Sequence, residues 1–78
     1  MGLENSGGPE DAALVQEMVE AQRRRIREIA RRIAPGLSED DLLQPHDHAA
    51  LASHPDFQFE DGILAGYLAV LAALRARR

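Results

Sequence analysis

The side chains of this 78-residue sequence best equipped for chemistry lie in its middle. His46, His48 and His54 fall close together, with Asp47 and Asp56 interleaved. Imidazole and carboxylate are ligands for zinc and other divalent ions, and His46-x-His48 puts two ring nitrogens near each other in an extended chain. The spacing fits no zinc-site pattern, however, and on a helix His46 and His48 would diverge. Aspartates beside prolines commonly bond backbone amides, so turn structure is the expected role of this stretch. The expected cofactor set is therefore none, and a metal-responsive protein using His46, His48 and His54 is kept as a second alternative.

The other concentrated chemistry is cationic. Residues 23–32 carry six arginines against one glutamate, a local charge of +5. Arg23, Arg24, Arg27 and Arg31 would share one side of a helix, and guanidinium groups suit phosphate backbones. Yet Glu17, Glu20 and Glu28 lie on or beside that side, and Glu20–Arg24 and Glu28–Arg32 have the favourable i,i+4 order. No aromatic residue is interleaved to stack on bases. Residues 34–61 hold seven acids and no base, which supplies a neutralising partner. An ion-paired, solvated face is expected, and a nucleic-acid-binding or regulatory protein is the first alternative.

Catalysis has little to build on. There is no cysteine, so no thiol nucleophile and no cysteine-ligated metal. Ser38 reads as a helix cap, and the neighbourhood of Ser53 and His54 in sequence does not make a nucleophile–base pair. Gly62 and Gly66 sit inside a helical pattern, not in a phosphate-binding loop. Glu60-Asp61 reads as acid favouring a helix start. The expectation is that the chain is not an enzyme.

The elements that carry these residues read as all-α. Residues 1–9 are glycine-rich and polar, a disordered leader in expectation. Met1-Gly2 with Ser6 fits the loose myristoylation pattern, though an ordinary initiator is the expected reading. Asp11 would cap a first helix over about 11–34. Val15, Val19, Gln22, Ile26, Ile29 and Ile33 recur there at steps of 4, 3, 4, 3 and 4, a seam with one polar member. Pro35 ends it, and Gly36 is expected in a left-handed turn. Ser38 with Glu39, Asp40 and Asp41 predicts a short helix over 39–44, with Leu37 and Leu42 as a hydrophobic staple. Asp47 would cap another over 47–53, closed by Pro55, and Leu37, Leu42, Leu43 and Leu51 would plug the end of the core. Phe57-Gln58-Phe59 then reads as an extended lead-in to a last helix over 60–77.

That last helix is apolar on every side. Ile63, Tyr67, Val70 and Leu74 form one bulky stripe, and Leu64, Leu68 and Leu71 a second. Gly62, Gly66, Ala69, Ala73 and Ala76 form a third, of small residues. One amphipathic neighbour cannot cover such a helix, and Gly66 costs about 1 kcal/mol in a helix interior, a cost usually offset by close backbone approach. The expected fold is thus two long antiparallel helices joined by short helical turns, a single domain over residues 10–78 that pairs as a homodimer in a four-helix-bundle-like assembly. The expected association surface comprises Gly62, Ile63, Gly66, Tyr67, Ala69, Val70, Ala73 and Leu74, with Ile26, Ile29 and Ile33 from the first helix. Tyr67 is expected to pack at the core boundary, with a hydroxyl bond to Gln22 across the seam as the alternative.

Composition agrees with this picture. The chain is 45% apolar with three aromatic residues and a net charge of −4. A chain this short builds a thin core that association would reinforce. The uncharged run from Gly62 to Leu74 is roughly 20 Å of helix, short for a bilayer, and the first residues lack a signal-peptide pattern. A cytoplasmic protein with no membrane partner is expected. All nine basic residues are arginine, a bias suggesting a GC-rich bacterial genome. The function expected is a small non-catalytic interaction or structural module, self-associating or binding another protein through its apolar last helix.

Overall fold

A computed structural model describes residues 9–77 of the chain. The expected leader lies outside the described residues except for Pro9, as do Arg78 and the Met1-Gly2-Ser6 pattern. Every element is helical. α1 runs Pro9–Ile33, α2 Glu39–Leu42, a 3₁₀ turn Pro45–Asp47, α3 Ala49–Ala52 and α4 Pro55–Ala76. The two long helices lie side by side in antiparallel directions, and the three short pieces make the corner between them.

α1 forms because its apolar residues recur at helical spacing while arginine and glutamate occupy the other faces. It opens at Pro9, a residue suited to the first helical turn, so Asp11 sits inside that turn beside Glu10 instead of capping it. The seam is turned inward. Val19, Gln22, Ile26 and Ile29 are buried, and Val15 and Ile33 pack at its ends. Ala30, which the seam reading omitted, is buried too.

The corner departs from expectation in several places. Gly36 is not in the left-handed region, and its surroundings are open. α2 carries the full capping box at Ser38: its Oγ accepts from the Asp41 N–H at 3.1 Å, and its own N–H donates to Asp41 Oδ2 at 3.0 Å. α2 ends at Leu42, because Pro45 lacks the N–H needed to continue it and disfavours a helical Gln44 before it. Asp47 closes the 3₁₀ turn, and His48, without a side-chain cap bond, stands at the start of α3. Leu42 and Leu51 are buried and Leu37 packs against them, whereas Leu43 is 71% exposed and plugs nothing.

The largest correction is at the start of α4. Phe57-Gln58-Phe59 is helical, not extended. His54 is the N-cap: its Nδ1 accepts from the Asp56 N–H at 3.1 Å. Pro55 follows in the first turn, where its fixed φ favours the helix and its missing N–H costs nothing. Pro55 therefore opens a helix instead of closing one. The earlier start places Phe57 among the most completely buried side chains, with Leu51 and Val19, and carries Glu60 and Asp61 into the second turn.

The core is a single strip: Val19, Ile26 and Ala30 of α1, Leu42 and Leu51 of the corner, and Phe57, Leu64 and Leu71 of α4. The molecule measures 52 × 18 × 16 Å. A helix with its side chains is about 10–12 Å across, so among the described residues the hairpin is one helical layer thick and nothing covers the outer side of α4.

Candidate interaction surface

A buried polar cluster ties the two long helices together near the start of α4, and Arg75 Nη2 donates to Gln16 Oε1 at 3.1 Å nearer its end. Gln22 Nε2 donates to the backbone carbonyl of Glu60 and to Glu60 Oε1, both at 2.8 Å. Arg25 Nε lies 3.1 Å from the same carboxylate oxygen. Glu60 is only 7% exposed. The Gln22 amide holds its carboxyl below the usual glutamate range; burial works in the opposite sense, and the Arg25 guanidinium adds to the lowering. At neutral pH the group is an ionised latch whose Oε1 takes both Gln22 and Arg25. Gln22 thus finds Glu60, not Tyr67, because Glu60 stands three residues after Phe57 and four before Leu64, on the core face of α4.

The three histidines are pulled apart by three different partners. His46 Nε2 is 3.1 Å from Asp61 Oδ2, and its ring stands edge-on to Phe57 at 5.5 Å. His48 Nε2 is 3.7 Å from Asp41 Oδ1. His54 caps α4. Among the described residues no three His, Asp or Glu side chains converge as a metal site would require. Asp41 is held below the ordinary aspartate range, first by the Ser38 backbone N–H and then by its hydroxyl, with His48 contributing last among the lowering influences. Ser53 Oγ donates to the Ala49 carbonyl at 2.7 Å and is committed there.

The arginine face is partly engaged. Arg31 pairs with Glu39 at 2.6 Å and Arg25 with Glu60, so acids beyond α1 do answer its cations. The i,i+4 pairs differ from expectation: Glu20 accepts from Gln16 at 2.8 Å, and no ion pair joins Glu20 to Arg24 or Glu28 to Arg32 among the described residues. Arg23 and Arg24 stay exposed. Arg23 and Arg27 border a groove of about 290 Å³ closed by Leu42, Leu43, His46 and Asp61.

On the opposite side of the hairpin a groove of about 540 Å³ is lined by Arg25, Ile29 and Arg32 of α1 and by His54, Asp56, Phe59 and Glu60 of the α4 end. It shows which edges of the helices lie together. Leu14, Met18, Ala21, Arg25, Ile29 and Arg32 follow one another at steps of 4, 3, 4, 4 and 3, and so share one edge of α1. Phe59, Ile63, Val70 and Leu74 share the matching edge of α4. The apolar ends of both edges reach solvent at Leu14, Met18 and Val70.

No protein family, curated protein or solved structure matches the chain. The surface itself must carry any functional reading.

Its apolar part continues over the outer side of α4. Phe59 is 67% and Val70 49% exposed, and Gly62, Gly66, Ala69 and Ala73 are exposed among them. A Cβ added at Gly62 or Gly66 would meet nothing within 4 Å, so the close approach expected at Gly66 does not occur among the described residues. Of the expected association residues, Ile26 and Ile29 are consumed in the chain's own core, and Ile33, Ile63, Tyr67 and Leu74 are half-buried. Only Gly62, Gly66, Ala69, Val70 and Ala73 remain fully presented. Phe59, which the sequence reading left out of the surface, is its largest exposed member because it lies within α4. Helix α4 spans 22 residues and is long and apolar enough to cross a membrane, so the short apolar run no longer argues against that. The sequence signal for the missed residues was His54-Pro55-Asp56: a capping side chain, a first-turn proline and a first-turn acid.

Proposed function

We propose that the chain is a non-catalytic helical interaction module that self-associates through the outer side of α4. The observation that carries this reading is the exposed apolar stripe from Phe59 to Ala73 with nothing from the described residues over it. Solvated apolar side chains at helical spacing are favourably buried at about 25 cal/mol per Å², and among the described residues a hairpin 16 Å thick has no further layer to bury them. A second copy would double the thin core into four helices, the arrangement common for antiparallel hairpins. Leu14 and Met18 would extend the contact along the α1 edge.

The nearest competitor for the same stripe is a bilayer. Against it stands α1, in which eleven of 25 residues are charged and which is tied to α4 by the Gln22–Glu60–Arg25 cluster. Insertion of α4 would have to break that cluster and leave Glu60 in hydrocarbon, a placement costing several kcal/mol. Val70→Arg puts a charge in the centre of the stripe without touching the core, and light scattering coupled to gel filtration reads the result. A dimeric unaltered chain and a monomeric, still helical V70R support the reading. A monomeric unaltered chain, or one that floats with neutral lipid vesicles, overturns it.

A further inference from the structure

We infer, resting on the self-association proposed above, that two copies meet through α4 in an antiparallel, two-fold arrangement centred on Gly66. The exposed positions Phe59, Gly62, Gly66, Val70 and Ala73 are separated by 3, 4, 4 and 3 residues, a spacing that reads the same in both directions. The residue sizes are complementary under that reversal. Turning a second α4 about an axis at Gly66 sets Phe59 over the partner's Ala73 and Val70 over the partner's Gly62, with the two Gly66 backbones at the crossing. Each large side chain meets a small one. Phe59 and Val70 are the strongly exposed members, and the Gly62 position is open to receive a side chain. The match extends over about 21 Å of helix at 1.5 Å per residue. Small residues at the crossing allow axes at the lower end of the usual 8–10 Å separation.

Charge selects the same direction. Asp56, in the first turn of α4, and Arg77, its C-cap, are both exposed and lie beyond the two ends of the stripe. An antiparallel pair brings Asp56 of one copy beside Arg77 of the other and opposes the helix dipoles favourably. A parallel pair sets Asp56 against Asp56, Arg77 against Arg77 and Phe59 against Phe59, leaving the glycines facing each other over a gap.

The sequence has no cysteine, so engineered cysteines report the geometry directly. Gly62→Cys and Val70→Cys variants are oxidised separately and as an equimolar mixture. The antiparallel pair predicts a disulfide-linked heterodimer from the mixture and none from either variant alone, since a disulfide needs Cα atoms within about 7 Å. Phe59→Cys mixed with Ala73→Cys repeats the test at the stripe ends, should either first variant lose its helical circular dichroism. A crosslink from G62C alone or V70C alone would mean a parallel pair and would overturn the inference. Absence of any crosslink, with an unaltered chain that is dimeric by mass, overturns the geometry while leaving self-association standing. Absence of any crosslink with a monomeric unaltered chain removes both.

Discussion

Replacing Gln22 by leucine removes its two buried hydrogen bonds between α1 and α4 while filling nearly the same volume, and leaves the Arg25–Glu60 and Arg75–Gln16 links in place. One of those bonds goes to the neutral Glu60 carbonyl and the other to its carboxylate, each at 2.8 Å. A neutral bond contributes about 0.5–1.5 kcal/mol net and one to a charged acceptor about 1.5–3. Burying leucine in place of the amide returns about 1–2 kcal/mol. The balance is a loss of about 1–3 kcal/mol at neutral pH, because the Glu60 carboxylate keeps Arg25 but loses its principal donor. The pH dependence sharpens the test. Glu60 titrates lower in the folded chain than in the unfolded one. Its contribution is therefore present above the unfolded value, about 4.3, and disappears as pH falls through the lower folded value. In Q22L the carboxyl moves back up, and the stability gained between acid and neutral pH shrinks. Urea unfolding at fixed protein concentration, at pH 7 and stepwise to pH 3, should show a deficit that narrows towards acid. A Q22L chain as stable as the unaltered one at pH 7, or a deficit that is the same at every pH, would refute the latch.

Leu51 is fully buried between the corner and the long helices, so Leu51→Ala should cost about 2–5 kcal/mol, read as a lower urea midpoint. Gly66→Ala meets nothing among the described residues; it should raise the stability of the single hairpin by about 0.5–1 kcal/mol through helix propensity while weakening association, which dilution-dependent sedimentation separates from stability. Ser38→Ala deletes half of the α2 capping box, and NMR titration should find the Asp41 carboxyl displaced upward towards the ordinary aspartate range, because the hydroxyl that helps lower it is gone.

The long-range plan of the fold was legible because α1 and the body of α4 advertise themselves by periodicity. Six positions at alternating steps of four and three admit one helical face, and that face is the inner one. Local endings were less legible. His54 is not a frequent cap, and three alternating residues at 57–59 resemble a strand when the proline before them is read as a terminator. That placement hid Phe59 as a surface residue and the full length of α4, and it made Glu60 a first-turn acid when its spacing from Leu64 puts it on the core face. Leu43 and Gly36 show a second limit: one-turn helices carry too few residues for periodicity to choose a face, and the choice falls to packing against elements far away in sequence. The polar cluster was half-visible. Gln22 stood out as the polar member of an apolar seam, but the identity of its partner depends on the register between α1 and α4, which no local pattern encodes.

Sedimentation equilibrium of the unaltered chain, from nanomolar to about 100 micromolar, tests the central claim most directly, because specific dimers of this kind dissociate within reach of that range. The account predicts a reversible rise from the 8.6 kDa of one chain to twice that mass, with helix content preserved. A mass that stays at one chain throughout, in a fully helical protein, would contradict it.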